Sequence, residues 1–262
     1  MKKKDIYRII DEISPLKYAE GWDNCGVQTD VGPEDAERIL CALEINDAVI
    51  DEAIEKDIDL IVTHHPLIFE GLKSLDEAAI PSRYVIRLIK AGISVFSVHT
   101  CFDVADGGIN DCLAEKLGLL NVRKVCPLIP GEEKSMLLRI GELEENMDLK
   151  SFAGYVSKKL EIPAGVRVAG DPERIVRSVC VCGGSGSEYW KEAMDAGADV
   201  FVSGEVKHHD AAPAVDSGFA VICATHAGTE KWFAENMAAQ LKERIGDGAE
   251  VIISESESDP FK

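Results

Sequence analysis

Four of the six histidines in this chain stand where hydrophobic runs end. His64 and His65 close the run in IVTHHPLIF, His99 follows SVFSV, and His226 follows VICAT. Asp103 lies four residues beyond His99, and Glu230 four residues beyond His226. Imidazoles and carboxylates at strand ends suit a metal better than a packed core. Successive side chains of a regular strand point to opposite faces, so His64 and His65 are poorly placed to chelate one ion together. At a strand end, with Pro66 disrupting the backbone, they can splay toward two ions. A spacing of four aligns His226 and Glu230 on one helical face, although Gly228 between them can delay the helix start. Asp103 adds a short, hard oxygen ligand. Three imidazoles and two carboxylates form a nitrogen–oxygen set suited to zinc, iron(II), manganese, cobalt or nickel. A bridging carboxylate holds two such ions about 3.5–4 Å apart in two-metal hydrolytic sites, and Glu230 is the candidate bridge. Any one histidine at a strand end is more often a hydrogen-bonded structural residue; the joint pattern carries the argument.

Strand-like and helix-like runs alternate around these residues. The spacing of Ile6, Ile9, Ile10 and Ile13 predicts a helix ended by Pro15. After the turn-rich GWDNCGVQTD come a strand in RILCALEI, a helix in DAVIDEAIEK and a buried strand in DLIVTH. IPSRYVIRLIKAG reads as a helix with Pro81 near its start and Gly92 at its stop. ISVFSVH is a strand and GINDCLAEKLGL a helix. In the second half SMLLRIGEL, GVRVAG, IVRSVCVC, ADVFVSG, FAVICAT and AEVIIS read as strands. DLKSFAGYVSKKL, SEYWKEAMDAG, HHDAAPAVDSG and TEKWFAENMAAQLKERIG read as helices. This alternation predicts an α/β fold with mostly parallel, buried strands. The proline-rich CPLIPGEEK marks the candidate boundary between lobes 1–125 and 126–262, with interleaving left open. The acidic SESESDPFK end reads as a partly ordered tail. In such sheets ligands collect beyond the carboxyl ends of strands, where all four histidines fall.

With 28 Lys and Arg against 47 Asp and Glu, the net charge of −19 argues against an extended nucleic-acid or anionic-membrane surface. Eight cysteines without a C-x-x-C pattern read as buried free thiols in a reducing compartment. Cys180 and Cys182 share one face of a strand, so a soft-metal role stays open for them. MKKKDIYRIIDEISP interrupts its apolar residues with charges and fits neither a signal peptide nor a membrane span. The expected location is cytoplasmic. GGSGS (Gly183–Ser187) lies between a strand and a helix; a tight turn is favoured over phosphate binding, since a P-loop lysine is missing. Trp22, Asp23 and Asn24 read as pocket lining. Lys207 and Lys231 are possible anion contacts with solvated helix positions as the default, and His208 and His209 sit on a helix.

GWDNCGVQ, THHPLIF, HTCFDVADGGIND, GGSGS, SGEVKHHD and HAGTE, in that order over nearly the whole chain, resemble the Nif-three-like dinuclear metal-binding family, labelled GTP cyclohydrolase I type 2. The resemblance implies two related α/β lobes with the metal site in the cleft between them, and a ring-shaped homohexamer. Its ligands carry over onto His64, His65, Asp103, His226 and Glu230, holding two divalent ions such as zinc, iron or manganese. The chain resembles the short form of the family, without the domain that longer members insert. Three positions depart from the pattern the resemblance implies: Cys101 and Phe102 stand where Asn or Ala and Leu are usual, and Thr225 where Gly is common. These departures are expected to alter pocket shape.

The leading functional expectation is a cyclohydrolase-like hydrolase in which a metal-bridged hydroxide attacks C8 of a guanine-type ring in a small-molecule, nucleotide-like substrate. His99 is the leading candidate for proton transfer to the departing nitrogen, with a hydrogen bond to a ligand carboxylate as its equal alternative. Glu205 could serve as the acid instead. A phosphoesterase-type metallohydrolase and a non-enzymatic metal-binding or regulatory protein are the competing readings.

Overall fold

Runs of aliphatic residues that are buried on both faces set two sheets. The computed structural model describes residues 1–129, 131, 132, 135–257 and 259–261. The chain divides into two compact units, residues 1–106 with 233–260, and residues 107–232 with 261–262. The division expected at 125/126 falls inside a strand of the second unit, and Pro130, Glu133 and Lys134 of CPLIPGEEK lie outside the described residues.

The first unit contains α1 (Lys3–Ile13), β1 (Gly26–Thr29), β2 (Arg38–Ala42), α2 (Asp47–Glu55), β3 (Leu60–Thr63), α3 (Ser82–Ala91), β4 (Ser94–Ser97) and α4 (Thr100–Val104). From the far end of the chain it takes α10 (Phe233–Ile245) and β11 (Glu250–Ile253). Its sheet runs β1-β4-β3-β2-β11, parallel throughout except for antiparallel β1 at the edge. β3 and β4 are buried at every position, and Leu40, Ile61 and Val95 pack against Val49, Ile50 and Leu88 of α2 and α3. α2 starts on Asn46, whose side chain accepts from Val49 N at 3.0 Å, a cap worth about 1 kcal/mol. α3 stops at Gly92 in the left-handed region, φ 72°.

The second unit contains α5 (Ile109–Lys116), β5 (Leu120–Pro127), β6 (Met136–Asp148), α6 (Leu149–Lys159), β7 (Arg167–Ala169), β8 (Ile175–Cys182), α7 (Trp190–Asp195), β9 (Val200–Ser203), α8 (His208–Asp216), β10 (Ala220–Cys223) and α9 (His226–Glu230). Its sheet order is β5-β6-β8-β9-β10-β7. β8, β9 and β10 are parallel, whereas β5, β6 and β7 pair antiparallel around them. This sheet is therefore more mixed than the alternation predicts. Val179, Val181, Val200 and Ile222 bury their side chains with Phe152 and Val156 of α6.

Three elements differ from the sequence expectation. β1 hides inside the turn-rich GWDNCGVQTD because an edge strand of four residues needs no hydrophobic run. β5 is an edge strand whose first four residues are exposed, so it carries Asn121, Arg123 and Lys124 rather than an apolar stretch. TEKWFAENMAAQLKERIG is two helices, because the chain leaves one unit at Trp232 and enters the other at Phe233. Trp232 lies under Lys116, whose Nζ is 3.7 Å from the ring centroid. Among the described residues no helix is long and apolar enough to cross a membrane.

Part of the acidic tail is anchored, and Ser258 and Lys262 lie outside the described residues. The buried Glu52 carboxylate accepts from Ser254 Oγ at 2.7 Å and from the amides of Glu255 and Ser256 at 3.1 and 3.2 Å. Glu257 turns inward and accepts from Leu43 N. Burial pushes the Glu257 carboxyl up to about 7, against the pull of the Leu43 and Glu44 amides. An acid raised in the folded state costs nothing below its unfolded pKa, and its penalty grows as pH rises toward the folded value. Glu257→Gln keeps an acceptor but removes the charge. The variant is expected to match the parent near pH 4 and to exceed its stability by about 2 kcal/mol at pH 8. Equal urea midpoints at both pH values would contradict this.

Candidate metal centre

In the first unit the site grows from the carboxyl ends of two adjacent parallel strands. Thr63 of β3 is in register with Ser97 of β4, and their hydroxyls are 2.7 Å apart. One residue beyond Thr63 the chain delivers His64, and two beyond Ser97 it delivers His99. The amides of His64 and His65 donate to Leu43 O at 3.1 and 2.9 Å, which bends the chain at the strand end. His64, His65 and His99 each offer a ring nitrogen, and the three atoms lie within 4.8 Å of one another.

Each of these rings has its Nδ1 against an acceptor. His64 Nδ1 donates to Val98 O at 2.9 Å, and His65 Nδ1 lies 3.4 Å from Glu44 Oε2. His99 Nδ1 lies 3.0 Å from Asp23 Oδ1. A carbonyl can only accept, so the neutral His64 ring carries its proton on Nδ1 and its lone pair on Nε2. That Nε2 faces Asp103 Oδ1 at 3.7 Å, with His64 fully buried. Two acceptors facing each other in a buried site are a favourable arrangement for a cation between them. Asp103 sits on α4, one helical step from His99, whose carbonyl accepts from Asp103 N at 3.3 Å.

Asp23 holds this corner together. Its Oδ2 accepts from Thr100 N and Oγ1 at 3.0 and 2.5 Å and from Cys25 Sγ at 3.1 Å. Burial alone would raise its carboxyl, but the bonds from His99, Thr100 and Cys25 outweigh it and hold the group well below the usual carboxylate range. For His99, burial lowers the imidazole, and the Asp23 bond with the charges of Asp103 and Asp23 raises it above its ordinary value.

The second unit repeats the device on three neighbouring parallel strands. Cys182 of β8 and Cys223 of β10 both align with Ser203 of β9, so their carboxyl ends lie side by side. From these ends emerge Gly183–Gly184, Gly204–Glu205 and Thr225–His226. His226 Nδ1 is 3.0 Å from Glu205 Oε1, and Nε2 is 3.0 Å from Glu230 Oε2. The imidazole thus lies between two carboxylates, with the exposed one at Nδ1 and the buried one at Nε2. Nε2 and Oε2 are the atoms that would pass from a shared proton to a shared ion.

Glu230 needs the GGSGS loop. A Cβ on Gly184 would stand 2.2 Å from Glu230 Oε1, and its φ of +59° is itself in the left-handed region. Gly183 N donates to Asn110 Oδ1 at 2.7 Å, Gly184 N to Thr229 Oγ1 at 3.0 Å and Gly186 N to Ser203 Oγ at 3.1 Å. These amides serve the protein rather than a phosphate, as the tight-turn reading expects. Thr225, at the head of α9, has φ +59° and ψ 149°, a region nearly confined to glycine. Its hydroxyl accepts from Gly228 N at 3.0 Å, which offsets part of the strain.

The first unit gathers His64, His65 and Asp103 with His99, and the second pairs His226 and Glu230 with Glu205. Glu44 and Asp23, which orient His65 and His99, were absent from the expected site set apart from Asp23 as pocket lining; acids far along the chain carry no spacing signal. Cys101 and Phe102 are fully buried, so they act on the core rather than line a pocket. Phe102 packs edge-on to Phe233, which in turn packs against the His64 ring. Among the described residues Cys180 and Cys182 are buried within β8 and join no candidate metal group.

Two substitutions probe this geometry. Gly184→Ala is expected to displace the Glu230 carboxylate and weaken zinc binding at least about tenfold, read by competition with a chromophoric chelator; unchanged affinity would show that the glycine is dispensable. Thr225→Gly should relieve about 2 kcal/mol of strain and lose roughly 1 kcal/mol in capping and chain entropy. The net gain of about 1 kcal/mol should appear in urea unfolding, and a lower midpoint would refute it.

The chain was compared with known proteins. A family model described as Duf34/NIF3 (NGG1p interacting factor 3) matches residues 1–260. A protein of Clostridium perfringens named GTP cyclohydrolase 1 type 2 homolog is 30% identical over 262 residues, covering 100% of this chain and 99% of its own. One of that name from Streptomyces coelicolor is 34% identical over 266 residues, covering 98% and 92%. The crystal structure of a hypothetical protein of Staphylococcus aureus superposes with a TM-score of 0.91 at 31% identity, covering 100% of this chain and 99% of that one. A Bacillus cereus protein related to NIF3 gives a TM-score of 0.91 at 25% identity, with the same coverage. With strands, helices and candidate ligands in place along its length, the chain belongs to the Duf34/NIF3 family.

Proposed function

We propose that the chain is a dinuclear metal-dependent hydrolase with His64, His65, Asp103, His226 and Glu230 as ligands of two divalent ions. Its substrate is a small, nucleotide-like ring compound. The observation that carries this is that His64 and His226, each with Nδ1 against an acceptor, turn Nε2 toward the carboxylates of Asp103 and Glu230. The nitrogen–oxygen donor set fits zinc, iron(II) or manganese equally. The relatives named GTP cyclohydrolase 1 type 2 homolog support the hydrolase class and the ring substrate.

Bound divalent ions supply Lewis acidity and lower the pKa of water. The protein's own residues do the rest. Val98 O, Glu44 and Glu205 fix the ring orientation and tautomer of His64, His65 and His226. Glu205 is therefore a positioning residue in this reading rather than the acid. Asp23 anchors Nδ1 of His99, and the ring lies among the ligand imidazoles, so His99 is the group that carries a proton to or from the substrate. The engaged amides of GGSGS give a phosphoester-cleaving reading less support. The family resemblance extends the proposal to a homohexamer, which light scattering would test.

The test uses protein purified without affinity-tag metals and loaded with zinc or manganese, offered nucleotides, cyclic amides and phosphoesters. Ring hydrolysis should occur and fall by at least about 10²-fold in Glu230→Ala with the assembly intact. Turnover that survives Glu230→Ala, or none with any substrate, overturns the reading. His99→Gln should keep the metal, lose roughly 10²-fold in rate and change the pH–rate profile; an unaltered profile removes His99 from the chemistry.

A further inference from the structure

Two large aromatic side chains stand in solvent beside the imidazole cluster of the first unit. Trp22 is 58% exposed and Phe69 53% exposed, although each buries well elsewhere in globular proteins. Their ring centroids are 5.7 Å apart, and those of Trp22 and Phe69 lie 6.0 and 6.1 Å from His99. Both rings stand nearly perpendicular to the His99 imidazole, at 75° and 73°. Trp22 and Phe69 come from loops far apart in sequence, and a small amide network ties those loops together. Asn24 Nδ2 donates to Ile68 O at 2.6 Å, Ile68 N donates to Gln28 Oε1 at 3.0 Å, and Gln28 Nε2 donates to Asn24 O at 2.6 Å. Each bond has at least one end within two residues of Trp22 or Phe69. Polar side chains thus hold two apolar rings with more than half of each left in water, which forgoes the stability their full burial would give. The arrangement makes sense if a third flat surface covers them.

We propose that Trp22 and Phe69 form an aromatic wall that binds the planar ring of the substrate and presents it to His99. The occupant is a flat heteroaromatic ring of a small molecule, because the wall adjoins the cluster of reactive imidazoles rather than a remote face. A ring stacked on the indole would share its orientation and stand across the His99 plane. Stacking tolerates any flat ring, so the wall sets the substrate class while polar groups elsewhere choose among members. This inference rests on the hydrolase reading for its substrate, but its measurement does not depend on turnover.

The experiment titrates guanosine, with ribose as the ring-free control, into the zinc-loaded full chain by calorimetry. Guanosine should bind and ribose should not. Trp22→Ala and Phe69→Ala should each weaken guanosine binding about tenfold or more, with zinc content unchanged, and Trp22→Phe should restore most of it. Guanosine affinity in Trp22→Ala within twofold of the parent overturns the inference, as does a parent that does not bind guanosine. A change in assembly mass on Trp22→Ala without a change in guanosine affinity assigns the aromatics to a contact between copies and likewise overturns it. Trp22-dependent guanosine binding without hydrolysis of any ring would sink the hydrolase reading alone, whereas hydrolysis unaffected by the wall variants would sink the wall alone.

Discussion

An imidazole has two nitrogens, and an acceptor placed against one decides what the other can do. In His64, His65, His99 and His226 the acceptor meets Nδ1. Its identity is not uniform: a backbone carbonyl for His64, an acid for the other three. A carbonyl fixes the tautomer without adding charge, which suits the fully buried His64. A carboxylate adds a charge beside the ring, and the three rings so served are partly exposed, where that charge costs less. The four anchors share one outcome, a ring orientation held in place before any ligand arrives.

The anchors work only because the sheets deliver the rings to them. Parallel strands end together, so residues one to three positions past the register pairs Thr63↔Ser97 and Cys223↔Ser203 are neighbours whatever their distance in sequence. Each unit then adds a five-residue helix, α4 or α9, that carries an acid four residues after a histidine. His99 with Asp103 and His226 with Glu230 are the same device on two sheets. The difference lies in the acid's surroundings: Glu230 fills a space cleared by Gly184, whereas Asp103 faces the buried His64.

Much of this was legible in the chain itself. Buried strands such as LIVT and SVFS announce themselves as short runs without charges, and histidines punctuate their ends. The His226–Glu230 spacing survives the glycine between them because Thr225 caps the helix immediately before His226. What the chain did not disclose depends on contacts between distant segments. β1 and β5 are edge strands whose exposed faces need no apolar pattern. Glu44 and Asp23 lie 21 and 76 residues from the rings they orient, and no periodicity links them. The long helix expected at TEKWFAENMAAQLKERIG failed because a helical composition does not reveal where a chain changes units.

Costly and bulky side chains beside the candidate ligands obey the same logic of compensation. A threonine with φ +59° is costly, and such strain persists only where surrounding contacts over-determine it. Here Thr225 Oγ1 accepts from Gly228 N while its carbonyl accepts from Thr229 N and Oγ1, and Thr229 Oγ1 in turn accepts from Gly184 N. The strained residue is thereby joined through two bonds to the loop that clears space for Glu230. Phe102 is fully buried, and its ring meets Phe233, which backs His64. In both places the side chain is tied to a candidate ligand through neighbours, Thr225 through Thr229 and Gly184 to Glu230, and Phe102 through Phe233 to His64.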